Sequence, residues 1–103
     1  MIKYSPVQIF SALSSPIRLT IIERLAKEGT LTLGELAHPL HISLPAVLKH
    51  AIILENCGLV IRSKYGRVHY CTINKKALEE VQTWIVEILD EWSQTLKKLQ
   101  STN

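Results

Sequence analysis

The chain has 103 residues, enough for one domain and too few for two, and its apolar share of 47% excludes a disordered protein. Its net charge of +3 is unevenly spread: residues 43–76 carry six lysines and arginines against one glutamate, while residues 77–103 carry two lysines against five acidic side chains. Cys57 and Cys71 are too few for a disulfide framework, and no apolar run suits a signal peptide or a membrane span, so we expect a cytoplasmic protein.

Two helices are predicted at the start of the chain, over residues 7–13 and 16–28. Ser15 is a good N-cap for the second helix, and Pro16 suits its first helical position. Gly29 is a typical stop after its last turn. The second helix carries apolar side chains at helical spacing, namely Ile17, Ile21, Ile22 and Leu25.

Residues 32–57 are predicted to form a helix-turn-helix. Thr32 and Glu35 have the spacing of a capping box, which opens a first helix that Pro39 must end early. After a tight connection, Ser43 caps a second helix that ends near Gly58. The inward face of this second helix is expected to hold Leu44, Val47, Ala51 and Leu54.

Residues 59–73 change to the pattern of a β-hairpin, rich in β-branched and aromatic side chains. The tip is predicted at Tyr65-Gly66. With a two-residue turn, one face carries Ile61, Val68 and Tyr70, and the other carries Arg62, Lys64, Arg67 and His69. A basic hairpin directly after a helix-turn-helix is the wing of a winged helix. The alternative is that these charges form only a solvated face.

Residues 75–100 are predicted to form one long helix of roughly 37 Å at 1.5 Å per residue. Its apolar stripe follows a 3–4 alternation: Leu78, Val81, Ile85, Ile88, Trp92, Thr95 and Leu99. A helix of this length exceeds what a small domain can cover. We therefore expect a two-fold dimer seam that also includes Val7 and Phe10. The alternative is that the whole stripe packs on its own domain.

Three stretches of the sequence resemble the ArsR/SmtB family of bacterial and archaeal regulators. Residues 13–19, Leu-Ser-Ser-Pro-Ile-Arg-Leu, are similar to the family's entry into the second helix. Residues 33–37, Leu-Gly-Glu-Leu-Ala, resemble the first helix of the reading head. Residues 42–50, followed by Leu54-Glu55 and Gly58-Leu59-Val60, resemble the recognition helix and its exit. With the flanking helices, the likeness spans nearly the whole chain.

The resemblance implies a DNA-binding surface on the recognition helix and the wing. Lys49 is expected at a guanine edge or a phosphate, and His50 either at DNA or in packing. Arg18 either lies near the DNA backbone or forms a salt bridge to Glu23 or Glu28. The full set of expected DNA-binding residues is Arg18, Ser43, Pro45, Ala46, Leu48, Lys49, His50, Arg62, Lys64, Arg67 and His69.

The chain departs from the family pattern within the recognition helix. Leu48 stands where many relatives have Ser or Thr, Ala51 where they have Leu, and Ile52 where a polar residue is common. Because Leu48 and Ile52 are four residues apart, they are expected to form an exposed apolar patch near the DNA. The patch either touches thymine methyls, alters specificity or binds a protein partner.

The family's metal-sensing residues are not found in this sequence. The Cys-x-Cys pair of the reading head is replaced here by Ala37-His38-Pro39-Leu40, and no histidine follows His69 to build the Asp/His ladder of the last helix. His38 and His41 are three apart, but Pro39 between them spoils a helical chelate. No nucleophile elbow or phosphate-binding glycine loop points to an enzyme.

The sequence predicts a mainly α fold with a small β-hairpin, a winged helix-turn-helix in the order α-α-(β)-α-α-β-β-α. One domain is expected, with N-terminal helices at 5–28, the helix-turn-helix at 32–57, the wing at 59–73 and the dimerisation helix at 75–100. The predicted function is sequence-specific binding of an inverted repeat in double-stranded DNA by a homodimeric regulator, a repressor by analogy, with no cofactor, metal or inducer evident. Two alternatives stay open: a winged-helix protein-interaction module, and a redox-responsive regulator using Cys57 and Cys71.

Overall fold

The computed structural model describes residues 4–101, which form five α-helices and a three-stranded antiparallel sheet. The elements in chain order are α1 Pro6–Leu13, α2 Pro16–Glu28, β1 Leu31–Thr32, α3 Leu33–Leu40, α4 Leu44–Asn56, β2 Val60–Tyr65, β3 Val68–Ile73 and α5 Lys75–Gln100. The predicted fold class and element order are confirmed.

Helices α2, α3 and α4 begin where the predicted caps lie. The Ser15 hydroxyl accepts from the backbone of Arg18, and the Thr32 hydroxyl accepts from the backbone of Glu35 at 3.1 Å. The Glu35 carboxylate accepts in turn from the Thr32 amide at 3.0 Å, which completes the capping box and lowers the Glu35 pKa. Pro39 is tolerated in the last turn of α3, which ends one residue later at Leu40, and His41 caps this end with a left-handed backbone.

The sheet has the strand order β1-β3-β2, and its hairpin turn lies one residue beyond the predicted tip. Tyr65 pairs with Val68, so the turn is Gly66-Arg67 and not Tyr65-Gly66. Gly66 has a φ of +62°, which suits the first central residue of a type II′ turn. The new register shifts every cross-strand pair by two residues. Side chains therefore keep the faces predicted for them, except that Arg67 moves from a strand face into the turn.

The extended link before α3 is also part of the sheet. Leu31 pairs with Cys71 on β3, and Thr32 pairs with Tyr70. This short strand fixes the start of α3 against the base of the hairpin, so the helix-turn-helix and the wing share one framework.

The core lies between the first four helices and the inner face of the sheet. Its fully buried large side chains are Ile9, Ile21, Leu25, Leu36, Val47, Leu54, Leu59 and Cys71. On α4, Val47, Ala51 and Leu54 face inward as predicted. Leu44 was expected on the same face, but it sits in the first turn and is 55% exposed. On α1, the buried side chains are Ile9 and Ala12.

Helix α5 leaves the domain after its first turns. Ala77 is its buried residue, and Leu78 and Val81 pack at the edge of the core. The remaining helix extends the molecule to 66 Å along its longest axis, against 27 and 21 Å across. Within residues 4–101, no helix combines the length and the apolarity that crossing a membrane requires.

Candidate nucleic-acid interface

Helix α4 presents a capped and slim N-terminus. The Ser43 hydroxyl accepts from the Ala46 amide at 3.3 Å, and Pro45 has no N–H, so the Leu44 amide is the one amide of the first turn without a partner in the helix. Pro45 and Lys49 are exposed and lie opposite the buried Val47 stripe. The positive end of the helix dipole, with the Leu44 amide and the Ser43 hydroxyl, favours an anion at this end of α4.

Arg18 and His50 hold α4 against the N-terminal helices. The Arg18 Nη1 atom lies 3.1 Å from His50 Nδ1, and its Nε donates to the Ala12 carbonyl at the end of α1. Burial and the nearby guanidinium lower the pKa of His50, so its neutral form accepts the hydrogen bond. The salt bridge considered for Arg18 is not formed, because Glu28 pairs with Arg24 at 3.2 Å.

Arg62 is tied to α4 by a residue that the sequence analysis missed. Its Nε and Nη2 atoms donate to Glu55 Oε1 at 3.3 and 3.1 Å, and its Nη1 lies 2.8 Å from His69 Nδ1. The only sequence signal for this contact was that Glu55 is the single acidic residue between residues 43 and 76. Arg62 thus sets the position of the wing, whereas Lys64 and Arg67 extend into solvent.

A groove of about 520 Å³ separates α4 from the wing. Leu44, Pro45 and Leu48 line one wall, and Val68 and Arg67 are among the residues of the other. The groove is mostly apolar, and it lies between the N-terminus of α4 and the cations of the wing.

The predicted apolar patch of Leu48 and Ile52 is not exposed as expected. Leu48 packs against the core, and both side chains are half-buried. The exposed apolar residues of α4 are Leu44, at 55%, and Ile53, at 41%.

The stripe along α5 stays uncovered beyond Val81. The exposed fractions rise from 41% at Ile85 and 47% at Ile88 to 56% at Trp92 and 66% at Leu99. The alternative in which the stripe packs on its own domain is wrong for this part of the helix. Val7 and Phe10 are also exposed, and the Phe10 ring lies 5.7 Å from that of Trp84, which joins the two apolar surfaces.

The two cysteines are buried free thiols. Cys57 donates to the Leu54 carbonyl at 3.3 Å, and burial raises the pKa of Cys71. The predicted turn at Tyr65-Gly66 implies that Cys71 pairs with Val60, whereas in the observed register Cys71 pairs with Arg62. Burial shields both sulfurs from solvent, which works against thiol exchange.

The histidines near the turn do not assemble a metal site. His38 and His41 are exposed at the end of α3. In the described part of the chain, no three His, Cys, Asp or Glu side chains lie close enough to hold a metal ion together.

Comparison with known proteins places this geometry among transcriptional regulators. The family model described as "Bacterial regulatory protein, arsR family" matches residues 15–62, from α2 into the wing. The arsenical resistance operon repressor of Escherichia coli K12 is 31% identical, over 93% of this chain and 80% of that protein.

Solved structures agree with this likeness. The crystal structure of an ArsR family transcriptional regulator superposes with a TM-score of 0.78 and 38% identity, covering 90% of this chain and 97% of that one. A structure described as a homodimeric winged helix-turn-helix DNA-binding domain from Mycobacterium bovis has a TM-score of 0.62 and 23% identity, covering 79% and 76%. Because its sequence identity is so low, the Mycobacterium bovis structure shows a similarity of fold alone.

Proposed function

The chain belongs to the ArsR family of bacterial regulatory proteins, and we propose that it represses transcription as a homodimer bound to an inverted repeat in double-stranded DNA. Its relatives are winged helix regulators and not enzymes. The observation that carries the proposal is that the exposed cations of the wing, Lys64 and Arg67, lie beside the capped and exposed N-terminus of helix α4.

Helix α4 is the element proposed to enter the major groove. Its Ser43 hydroxyl and the Leu44 amide bind a phosphate, and Pro45 and Ala46 keep its tip narrow. Lys49, on the outward side, contacts a guanine edge or a phosphate. Leu48 lies in the groove beside the wing.

The wing supplies phosphate contacts on the other side of the recognition helix. Lys64 and Arg67 are exposed cations and are proposed to bind the backbone. Arg62 and His69 orient the wing, and Arg18 and His50 orient α4. These four residues act on DNA by positioning the residues that touch it.

The uncovered stripe of α5, with Val7 and Phe10, is the proposed dimer seam. Three large apolar side chains on one exposed helix face, Ile85, Ile88 and Trp92, indicate an interface. The homodimer described for the Mycobacterium bovis domain is consistent with this arrangement. Two-fold symmetry then presents two recognition helices to two half-sites.

Repression is proposed from the relative's role and from the size of the protein. The Escherichia coli relative is named a repressor. A compact dimer that covers its operator blocks access to a promoter without further contacts.

The test is a salt titration of binding to duplex DNA. Replacing both Lys64 and Arg67 by alanine removes two phosphate contacts from each protomer, so the log–log salt slope should fall by about 3.6 units. Lys27→Ala, which removes an exposed lysine at the end of α2, is the matched control and should leave the slope unchanged. A flat salt response in the unaltered protein would contradict the proposal and favour a protein-interaction module.

A further inference from the structure

The chemistry of α4 limits how it can read a base pair. Of the ten residues from Leu44 to Ile53, eight are apolar, and the two others are Lys49 and His50. His50 is already bonded to Arg18 through Nδ1. Arginine, asparagine and glutamine are the usual bidentate readers of guanine and adenine, and this stretch contains none of them. Lys49 is therefore the main polar base reader available on the first turns.

The N-terminal part of α4 exposes apolar surface at the same place. Leu44 is 55% exposed in the first turn, Pro45 follows it, and Leu48 lies one turn further along. Val68 on the wing, 42% exposed, faces them across the groove. Adjacent apolar side chains exposed on the two walls of one groove form a candidate contact surface.

Charge on both sides of the groove identifies the occupant. The N-terminus of α4, with the Ser43 hydroxyl and the Leu44 amide, lies at one end, and Arg67 belongs to the opposite wall. Lys49 and Lys64 are exposed on the same two elements. Cations that flank an apolar surface fit a polyanion with an apolar group between its phosphates. In the major groove of DNA that group is the C5-methyl of thymine.

We propose that Leu44, with Pro45 and Leu48 beside it, reads thymine methyl groups, so that each operator half-site contains thymines specified by apolar contact. This inference rests on the proposed function, since it requires α4 to enter the major groove. Leu44 is the principal reader, because it is the most exposed of the three large apolar side chains around the groove. Lys49 adds the polar contact one and a half turns further along α4.

Uracil in place of thymine removes this methyl and leaves the pairing edge unchanged, which makes it a direct probe. Burying one methyl is worth about 0.8 kcal/mol, or about a fourfold change in affinity. A dimer that reads one thymine in each half-site should therefore lose about fifteenfold when both are replaced.

The experiment begins by selecting duplexes that bind the full-length protein from a random-sequence library. Anisotropy titrations then compare the selected duplex with copies in which single thymines are replaced by uracil. The unaltered protein should bind the uracil duplexes more weakly at particular positions. Leu44→Ala should bind thymine and uracil duplexes equally, with an unchanged far-ultraviolet circular dichroism spectrum.

Leu19→Ala is the matched control, because Leu19 is 43% exposed on α2 and does not line the groove. It should keep the full discrimination between thymine and uracil. Equal affinity of the unaltered protein for both duplexes, together with a steep salt slope, would overturn the thymine inference and leave DNA binding standing. Failure to enrich any duplex would overturn both.

Discussion

Replacing Arg62 by methionine separates the structural role of this residue from a role in contacting DNA. In the structure its guanidinium bonds Glu55 and His69, and the Arg62 and Glu55 side chains are 22% and 33% exposed. An ion pair with this partial exposure is weaker than a buried one, so Arg62→Met should lower the free energy of unfolding by about 1 kcal/mol. For a domain of this size, that corresponds to a Tm decrease of about 5 °C.

The same variant should leave the salt dependence of DNA binding almost unchanged, because Arg62 is occupied within the protein. Lys64→Met should do the opposite: the Tm stays within about 1 °C, and the salt slope of the dimer falls by about 1.8 units. Glu28→Gln is the stability control, since it breaks the more exposed Arg24–Glu28 pair, worth only about 0.3 kcal/mol.

Thermal unfolding and anisotropy titrations at several salt concentrations measure both quantities. A salt slope that falls as far in Arg62→Met as in Lys64→Met would refute the assignment of Arg62 as a positioning residue. An unchanged Tm in Arg62→Met would show that the pair with Glu55 does not hold the wing.

Three further predictions concern the dimer, the pH response and the thiols. Ile88→Asp should give an 11.7 kDa species on sedimentation, because it places a charge in the seam, whereas Thr83→Asp on the opposite face should stay dimeric; a dimeric Ile88→Asp would contradict the seam. Because the His50 pKa is lowered, the unfolded chain binds this proton more readily, so stability should fall as the pH drops below about 6.5. His50→Gln should flatten that fall in urea titrations, and an identical pH profile would refute the reasoning. DNA affinity should be equal in oxidant and reductant, since Cys57 and Cys71 are buried; a loss on oxidation that Cys57→Ser abolishes would revive the redox alternative.

The features that the sequence predicted well are those set by a few neighbouring residues. Ser15, Thr32 and Ser43 each satisfy an amide three residues ahead, so the helix starts can be found without knowing the fold. The apolar stripe of α5 was predicted equally well, because the spacing of its apolar residues depends only on positions three or four apart in the chain.

The hairpin shows where a local pattern stops being sufficient. A shift of two residues keeps every side chain on its face, so alternation alone cannot distinguish a turn at Tyr65-Gly66 from one at Gly66-Arg67. The preference of type II′ turns for glycine at the first central position was the available signal. The turn predicted one residue too early placed Arg67 on a strand instead of in the turn. It also paired Cys71 with Val60 instead of Arg62.

The remaining differences arise from contacts between separate elements. Glu55 meets Arg62 only because the wing folds back beside α4, and Leu48 is half-buried because it packs against the core. Leu44 fits the inward period of α4, yet it lies at the helix start, beyond the reach of the core. Burial at such positions depends on the distance between secondary-structure elements. The periodicity of the sequence carries no information about that distance.

The most direct test of the central claim is selection of binding sites from random-sequence duplex DNA by the full-length protein. A homodimer with two recognition helices should enrich one inverted repeat, with half-site centres about 10 bp apart or a multiple of that spacing. Sedimentation of the selected complex should show two protomers for each duplex. Enrichment of a single half-site or of a direct repeat, or the absence of any enrichment, would contradict the account.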